Sequence, residues 1–445
     1  MSAQAQPVVI GAGWSGLACA VELARAGRTP LVLDMAPQAG GRARGVEHDF
    51  HSGGSGPARL RLDNGQHLLL GAYRDSVAMM RFVGVEPDAL IENSPFEISF
   101  PDAWRIAAAD VPAPFHLGLG LLGARGMTVC ERATLVAWTQ RQRLGGWQAS
   151  GRRAASELFV GHPRALVRRL WRPLCLAALN VELAQASAQI FLNVLRDSLG
   201  AQAQASRLLL PRVDLSRLFP EAAIHWLRGK GAQVRLHAQA MDLRNRGSAW
   251  EVRLRDGSIN AGQVAIAVAP DRAAELLDGA GAPANAVAEQ LRAIRFAPIS
   301  TVYLRYERSR RLPRPFYALL DDAARMHFGQ WVFDRGAFDP DLDGVLAVVI
   351  SGAGPHTGLS RTELARQVAA QLGECLGLPV PHAHFVVTEK HATIVPGPDL
   401  RRPSLHAAGR GLYLAGDSVD SPYPSTIEAS VRAGREAAQA MLAEA

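Results

Sequence analysis

An α/β fold built on a parallel sheet is what this sequence predicts, and three observations predict it. The first is Val8-Val9-Ile10 followed by Gly11, Gly13 and Gly16, an apolar strand running straight into G-x-G-x-x-G. The second is another apolar run, Leu31-Val32-Leu33, that ends on Asp34. The third lies near the far end, where Leu412-Tyr413-Leu414 leads through Gly416-Asp417 and a proline-containing loop to a helix opened by Ser425 and Thr426. Together they describe a Rossmann-like nucleotide-binding domain whose parts are separated by most of the chain.

Each glycine of the fingerprint has its own task. Gly11 permits the tight turn, Gly13 lets the backbone approach a pyrophosphate, and Gly16 lets helix pack on strand. The helix presents Ser15, its first N–H groups and its positive dipole end to the phosphates. Ala20 keeps this helix small on its sheet side, and Gly27 suits a C-terminal cap. Asp34 can accept hydrogen bonds from both hydroxyls of an adenosine ribose and would repel a 2′-phosphate, which speaks against NADP. Gly40-Gly41-Arg42-Ala43-Arg44 follows; its glycines bare backbone N–H groups and its arginine offers a fork for phosphate oxygens. Alone, such a triplet is also an ordinary surface turn. Placed after Asp34, it resembles the second phosphate- and flavin-contacting loop of the FAD-dependent amine oxidase and phytoene desaturase superfamily. That resemblance implies FAD rather than NAD, with Gly41 and Arg42 among its contacts.

The totals set bounds. A chain of 445 residues is too long for one small core and points to two domains. The net charge of +7 is carried almost wholly by arginine, since Lys230 and Lys390 are the only lysines. That balance suits anionic phospholipid or an acidic ligand, or else simply puts arginine where lysine would serve on solvated faces. Aromatics do not interleave with a basic stripe, so nucleic acid is not expected as a partner. Cys19, Cys130, Cys175 and Cys375 show neither zinc-site spacing nor a disulfide framework, which fits a reducing compartment and no metal. No signal peptide fits ahead of the first strand, and no run is long enough to span a membrane. The expectation is a cytoplasmic protein, at most peripheral on the inner face of the cytoplasmic membrane.

Beyond Arg44 the stretch 53–56 is too glycine-rich for a helix. Asp63-Asn64-Gly65 is strong turn chemistry, and Leu68-Leu69-Leu70 after it reads as a buried strand or turn leading toward a cofactor. Residues 74–82, 127–144, 163–176 and 184–199 read as helices. Residues 115–122, FHLGLGLL, read either as a packed core segment or as an interfacial lid that exposes Leu119 and Leu121 to a bilayer, with arginines nearby for headgroups. From 211 the pattern returns to α/β: a helix over 219–231, strands over 233–236, 249–254 and 264–268, and a hairpin turn at Asp256-Gly257. Residues 299–306 and 345–350 suit an antiparallel sheet, and 362–376 a helix closed by Gly377.

The block DNGQHLLLGAY, from Asp63 to Tyr73, narrows the resemblance to the hydroxysqualene dehydroxylase family, FAD enzymes of bacterial hopanoid biosynthesis. The resemblance implies an amine oxidase/phytoene desaturase-like architecture: an FAD-binding domain over 1–75, 207–295 and 395–445, and a discontinuous α+β substrate domain over 76–206 and 296–394. It implies reduction of an allylic C–O bond, hydroxysqualene becoming squalene and water, with hydride from flavin N5 quenching an allylic cation. It also implies FAD contacts from Val234, Gly416, Asp417, Thr426 and Ile427, an apolar polyisoprenoid substrate, peripheral membrane contact and a separate flavin reductant. His67 is the candidate acid because imidazole titrates near neutrality; Asp63, Asp420 and Tyr423 lie in segments expected near the flavin. Asp34 stands where that superfamily commonly has glutamate, and a shorter carboxylate can serve the same hydroxyls. Two other readings remain open: a carotenoid-type desaturase or amine oxidase, and an isoprenoid-binding flavoprotein without turnover.

Overall fold

Four short apolar runs and the polar outer strand 233–235 form one parallel sheet in the order 233–235, 31–33, 8–10, 264–266, 412–414. The computed structural model that shows this describes residues 6–50, 59–113, 115–200, 202–247, 249–406 and 408–444, so the glycine-rich stretch 53–56 lies outside it. The three inner strands and the edge strand 412–414 are buried on both faces, which is why they read as unbroken apolar runs rather than alternating ones. Val9, Val32, Ala265 and Tyr413 face one core, shared with the helices Trp14–Arg25 and Ile427–Ala443. Val8, Ile10, Leu31 and Leu33 face another, closed by the Ala240–Ala261 meander and the helices Pro270–Leu277 and Ala284–Arg292.

A second sheet is antiparallel, in the order Phe316–Ala318, Trp331–Asp334, Val345–Ser351, Phe296–Arg305, Ala383–Ile394. One face, with Val302, Leu304 and Val348, packs on the helix Arg361–Leu376; Ser360 caps its start and Gly377, at φ 65°, its end. The other face, with Tyr303, Ala347 and Phe333, shares a large core with the helices of 115–200. Asn180 pins the two together: its Nδ2 donates to the carbonyls of Ala297 and Pro298 and to Thr393 Oγ1, and its Oδ1 accepts from Gly352 N at 2.7 Å.

Several helices depart from expectation for local reasons. The 163–176 helix runs on to Leu179 and carries a π turn at Val167–Trp171, just before Pro173, which has no N–H to give the regular ladder. The 184–199 helix starts later, at Ala188, because the Ser187 side chain accepts from Ile190 N and caps it there. Phe115–Leu122 is a helix with one face out: Phe115, Leu119 and Leu122 are exposed whereas His116, Gly120 and Leu121 are buried. The lid reading thus named one wrong residue, since Leu121 is turned inward by the 3.6-residue period. Among the described residues, no helix is long and apolar enough to cross a membrane.

Candidate cofactor and active site

The three fingerprint glycines differ in what an added Cβ would meet. At Gly11, with φ +110°, it would lie 2.3 Å from Ala267 O, and at Gly16 it would lie 1.9 Å from Gly11 O. Both are therefore required by the protein's own packing. At Gly13 the nearest atom is Gly41 Cα, 3.9 Å away, so the protein leaves room in front of this backbone. Gly13 is also the N-cap of the Trp14–Arg25 helix, and no side chain caps that end. Ser15, in the same turn, is buried with its Oγ unpartnered. An open glycine, an uncapped helix end and an orphaned hydroxyl fit a dinucleotide pyrophosphate.

Three other segments converge on this turn. Gly40 N donates to Ala12 O at 2.9 Å, and Trp14 Nε1 donates to Ala43 O at 2.8 Å, tying the Gly40-to-Arg44 loop to the helix start. Asp34 accepts from Ala12 N at 2.6 Å and from Ala36 N at 2.7 Å, which fixes its carboxylate at the end of its strand. Val234 pairs with Val32 one strand further out, and Arg235 O accepts from Asp34 N. Val234 thus flanks the Asp34 end of the sheet, away from Gly13.

The C-terminal segment supplies the opposite side. Gly416 has φ +110°, and a Cβ added to it would meet no protein atom within 4 Å. Arg42 Nη2 donates to Asp417 Oδ1 at 2.6 Å, joining residues 375 apart, and its Nη1 donates to Ala392 O at 2.9 Å. The fork expected to hold phosphate is thus engaged by protein groups, linking the glycine loop, the second sheet and Asp417. Burial works to raise the Asp417 pKa, and the Arg42 cation more than offsets it, holding the carboxyl below its ordinary value. Thr426 caps the Ile427–Ala443 helix by accepting from Ala429 N, and Glu428 in its first turn accepts from Asp75 N and Ser76 N. The start of this helix and that of the helix Arg74–Phe82 are thereby braced, whereas the Gly13 end stays uncapped.

Several of these braces were not singled out from sequence. Arg402 donates to Asp417 O and Tyr423 O and so shapes the loop behind Gly416, while Trp14 holds the glycine loop. Neither carries a local signal; only the fold brings them to their acceptors.

The acid candidates separate clearly. His67 sits in the turn whose Gln66 N donates to Thr301 Oγ1 of the second sheet. Its Nδ1 is shut away without a partner, and burial, aided by the Arg335 cation, brings the imidazole down to about 4. At neutral pH it holds no extra proton, which is the wrong state for the acid role expected of it. Asp63 is pushed by burial up to about 7, against the Arg335 cation, and its Oδ1 accepts from Leu215 N. Tyr423 donates a hydrogen bond from its hydroxyl to Asp197, and Asp420 is exposed.

Comparison with known proteins agrees from end to end. Residues 14–442 match the family model described as flavin containing amine oxidoreductase. The chain is 30% identical to hydroxysqualene dehydroxylase of Rhodopseudomonas palustris and 29% identical to that of Sinorhizobium fredii, covering 98% of both partners in each case. The crystal structure of an oxidoreductase from Methanosarcina mazei shares the fold, with a TM-score of 0.75 at 12% identity over 98% of this chain and 100% of that one.

Proposed function

The chain belongs to the flavin containing amine oxidoreductase family, and on that premise we propose that this FAD-dependent oxidoreductase replaces the allylic hydroxyl of hydroxysqualene by hydrogen, giving squalene and water. The observation that carries the reading is its end-to-end similarity, at 30% identity, to a hydroxysqualene dehydroxylase. When bound and reduced, FAD supplies the hydride that forms the new C–H bond. Gly13, Ser15, Asp34 and the Gly40-to-Arg44 loop hold its dinucleotide part, and Gly416, Asp417, Thr426 and Ile427 hold the flavin end. The substrate domain meets the cofactor side with an apolar core between the second sheet and the 115–200 helices, where Phe159, Phe191 and Tyr303 are buried, a setting that favours a hydrocarbon substrate and excludes water.

The C–O bond breaks as the hydroxyl takes a proton and leaves as water. Asp63, half-protonated near neutrality, is the side chain we assign as the proton reservoir of this region. A neutral His67 contributes differently, by adding no positive charge beside the carbon that becomes electron-deficient. A reductant from outside the chain restores the cofactor after each turnover.

The test uses the full-length yellow protein under anaerobic conditions. Its flavin is reduced with dithionite, excess reductant is removed, and hydroxysqualene is added. Squalene should form one for one with return of the oxidised flavin spectrum. A reduced protein that stays bleached, together with bleaching of the oxidised protein by squalene or phytoene, would replace this reading with a desaturase.

A further inference from the structure

We propose that the face formed by the helices Phe115–Leu122 and Val129–Leu144 docks on an anionic phospholipid bilayer. This rests on surface properties alone, independent of the reaction assigned above. Among the described residues, seven of the eleven exposed large hydrophobic side chains fall between 115 and 160: Phe115, Leu119, Leu122, Val129, Val136, Leu144 and Val160. Along Val129–Leu144 the outward stripe runs Val129, Ala133, Val136, Ala137, Gln140, Leu144, while Glu131 and Trp138 point inward. The exposed positions are therefore apolar as far as Ala137, the reverse of an ordinary surface helix, and Gln140, Arg141 and Arg143 are exposed only at its C-terminal end.

Charge identifies what covers it. Residues 115–176 hold ten arginines against Glu131 and Glu157. Arg152, Arg153 and Arg169 are paired with Asp399, Glu157 and Asp102, and Arg172 with both Glu182 and Asp321, which leaves the other six as the positive charge of this region. Glu131 is buried in a capping box with Thr128 and presents no charge outward. Arg125, Arg141, Arg143, Arg164 and Arg168 are exposed, and among the described residues none has a carboxylate within ion-pair distance. Apolar side chains ringed by unpaired guanidinium groups match the acyl and phosphate layers of a bilayer. A second copy of the chain fits poorly, because an isologous contact would press two such cationic faces together.

The experiment is co-sedimentation of the full-length FAD-loaded protein with vesicles of phosphatidylglycerol and phosphatidylcholine, or of phosphatidylcholine alone, at ~0.1 M salt. Binding to the anionic vesicles should exceed binding to the neutral ones by about tenfold or more. Leu119→Gln/Leu122→Gln and Arg141→Gln/Arg143→Gln should each weaken it by about tenfold, with flavin absorbance and unfolding temperature unchanged. Absence of sedimentation overturns the proposal. So does binding that the Leu119→Gln/Leu122→Gln variant leaves intact, which would put the contact elsewhere. A concentration-dependent dimer abolished by that same variant would assign the face to a second copy instead.

Discussion

Gly434 is where one added methyl group should do the most damage. It lies inside the Ile427–Ala443 helix, and a Cβ there would sit 2.1 Å from Ser15 O and 2.9 Å from Ser15 C, both backbone atoms that move only with the turn that carries them. An unstrained carbon–oxygen contact lies near ~3.3 Å, so the two helices must part by about 1 Å. The seam they form is lined by Ala18, Val21, Val431 and Ala438, all fully buried, and opening it forfeits their contacts. Overpacking of this kind costs about 3 kcal/mol, offset by about 1 kcal/mol because alanine is the better helix former, leaving roughly 2 kcal/mol. Ser15 belongs to the pyrophosphate turn, so the apo protein can relax the strain by displacing it while the FAD-bound form cannot. Gly434→Ala should then weaken FAD binding by about 30-fold. The assay is quenching of flavin fluorescence on titration of the apoprotein, with Gly118→Ala as comparator. Gly118 is also helical but has nothing within 4 Å of its Cβ position, so its variant should bind FAD normally and be no less stable. FAD affinity within twofold of wild type in Gly434→Ala would refute the argument.

Further outcomes follow from the same contacts. Arg42→Gln and Asp417→Asn should each cost about 2–3 kcal/mol, below the range for a fully buried pair because Arg42 keeps 34% side-chain exposure, and the double variant should cost less than their sum; urea denaturation of all three measures the coupling. Asn180→Ala strands Gly352 N and removes the pin between helices and sheet, a loss of about 2–4 kcal/mol visible in the urea midpoint. Asp63 and His67 should shift stability oppositely. Asp63, raised to about 7, keeps a proton the unfolded chain has lost, so its contribution falls as pH rises toward 7. His67, lowered to about 4, refuses a proton the unfolded chain accepts, so its contribution falls as pH drops below the ordinary imidazole range, by at most about 3 kcal/mol. Asp63→Asn should therefore gain stability at pH 7 relative to pH 5, and His67→Gln the reverse; a shift of the opposite sign in either variant overturns the assignment of that residue.

Most of the parallel sheet was legible because four of its strands are short apolar runs, each with a glycine or turn at its end, and burial on both faces leaves no competing pattern. The helix expected over 362–376 was legible at its end through Gly377, and its start lies one residue earlier, at Arg361, because Ser360 caps it. Residues 115–122 were not legible, because apolar residues and glycines fill almost every position and leave no period to show which face is buried. Long-range pairs were also beyond reach: nothing near Arg42 in sequence points to Asp417, and nothing near Arg402 points to the loop it clamps. Residue type nominated His67 as an acid. Its environment decides otherwise, and environment is a property of the fold.

The His67 question can be settled by separating charge from proton. If positive charge develops on substrate carbon about 5 Å away, a cation at position 67 opposes it by ~3 kcal/mol at an effective dielectric of ~20, which slows the chemical step about a hundredfold. A neutral imidazole imposes no such penalty, and its lowered pKa keeps it neutral down to about pH 4. His67→Gln should therefore retain turnover within about tenfold and leave the pH profile between pH 5 and 8 as it is in the wild type, where Asp63 sets it. His67→Arg should lose far more, with substrate affinity less affected than rate. Single-turnover formation of squalene by prereduced protein, followed across that pH range, distinguishes the cases. Should His67→Gln instead lose several orders of magnitude while His67→Arg, bearing a charge, recovers part of the rate, the residue acts through its cationic form and the assignment of a neutral imidazole fails.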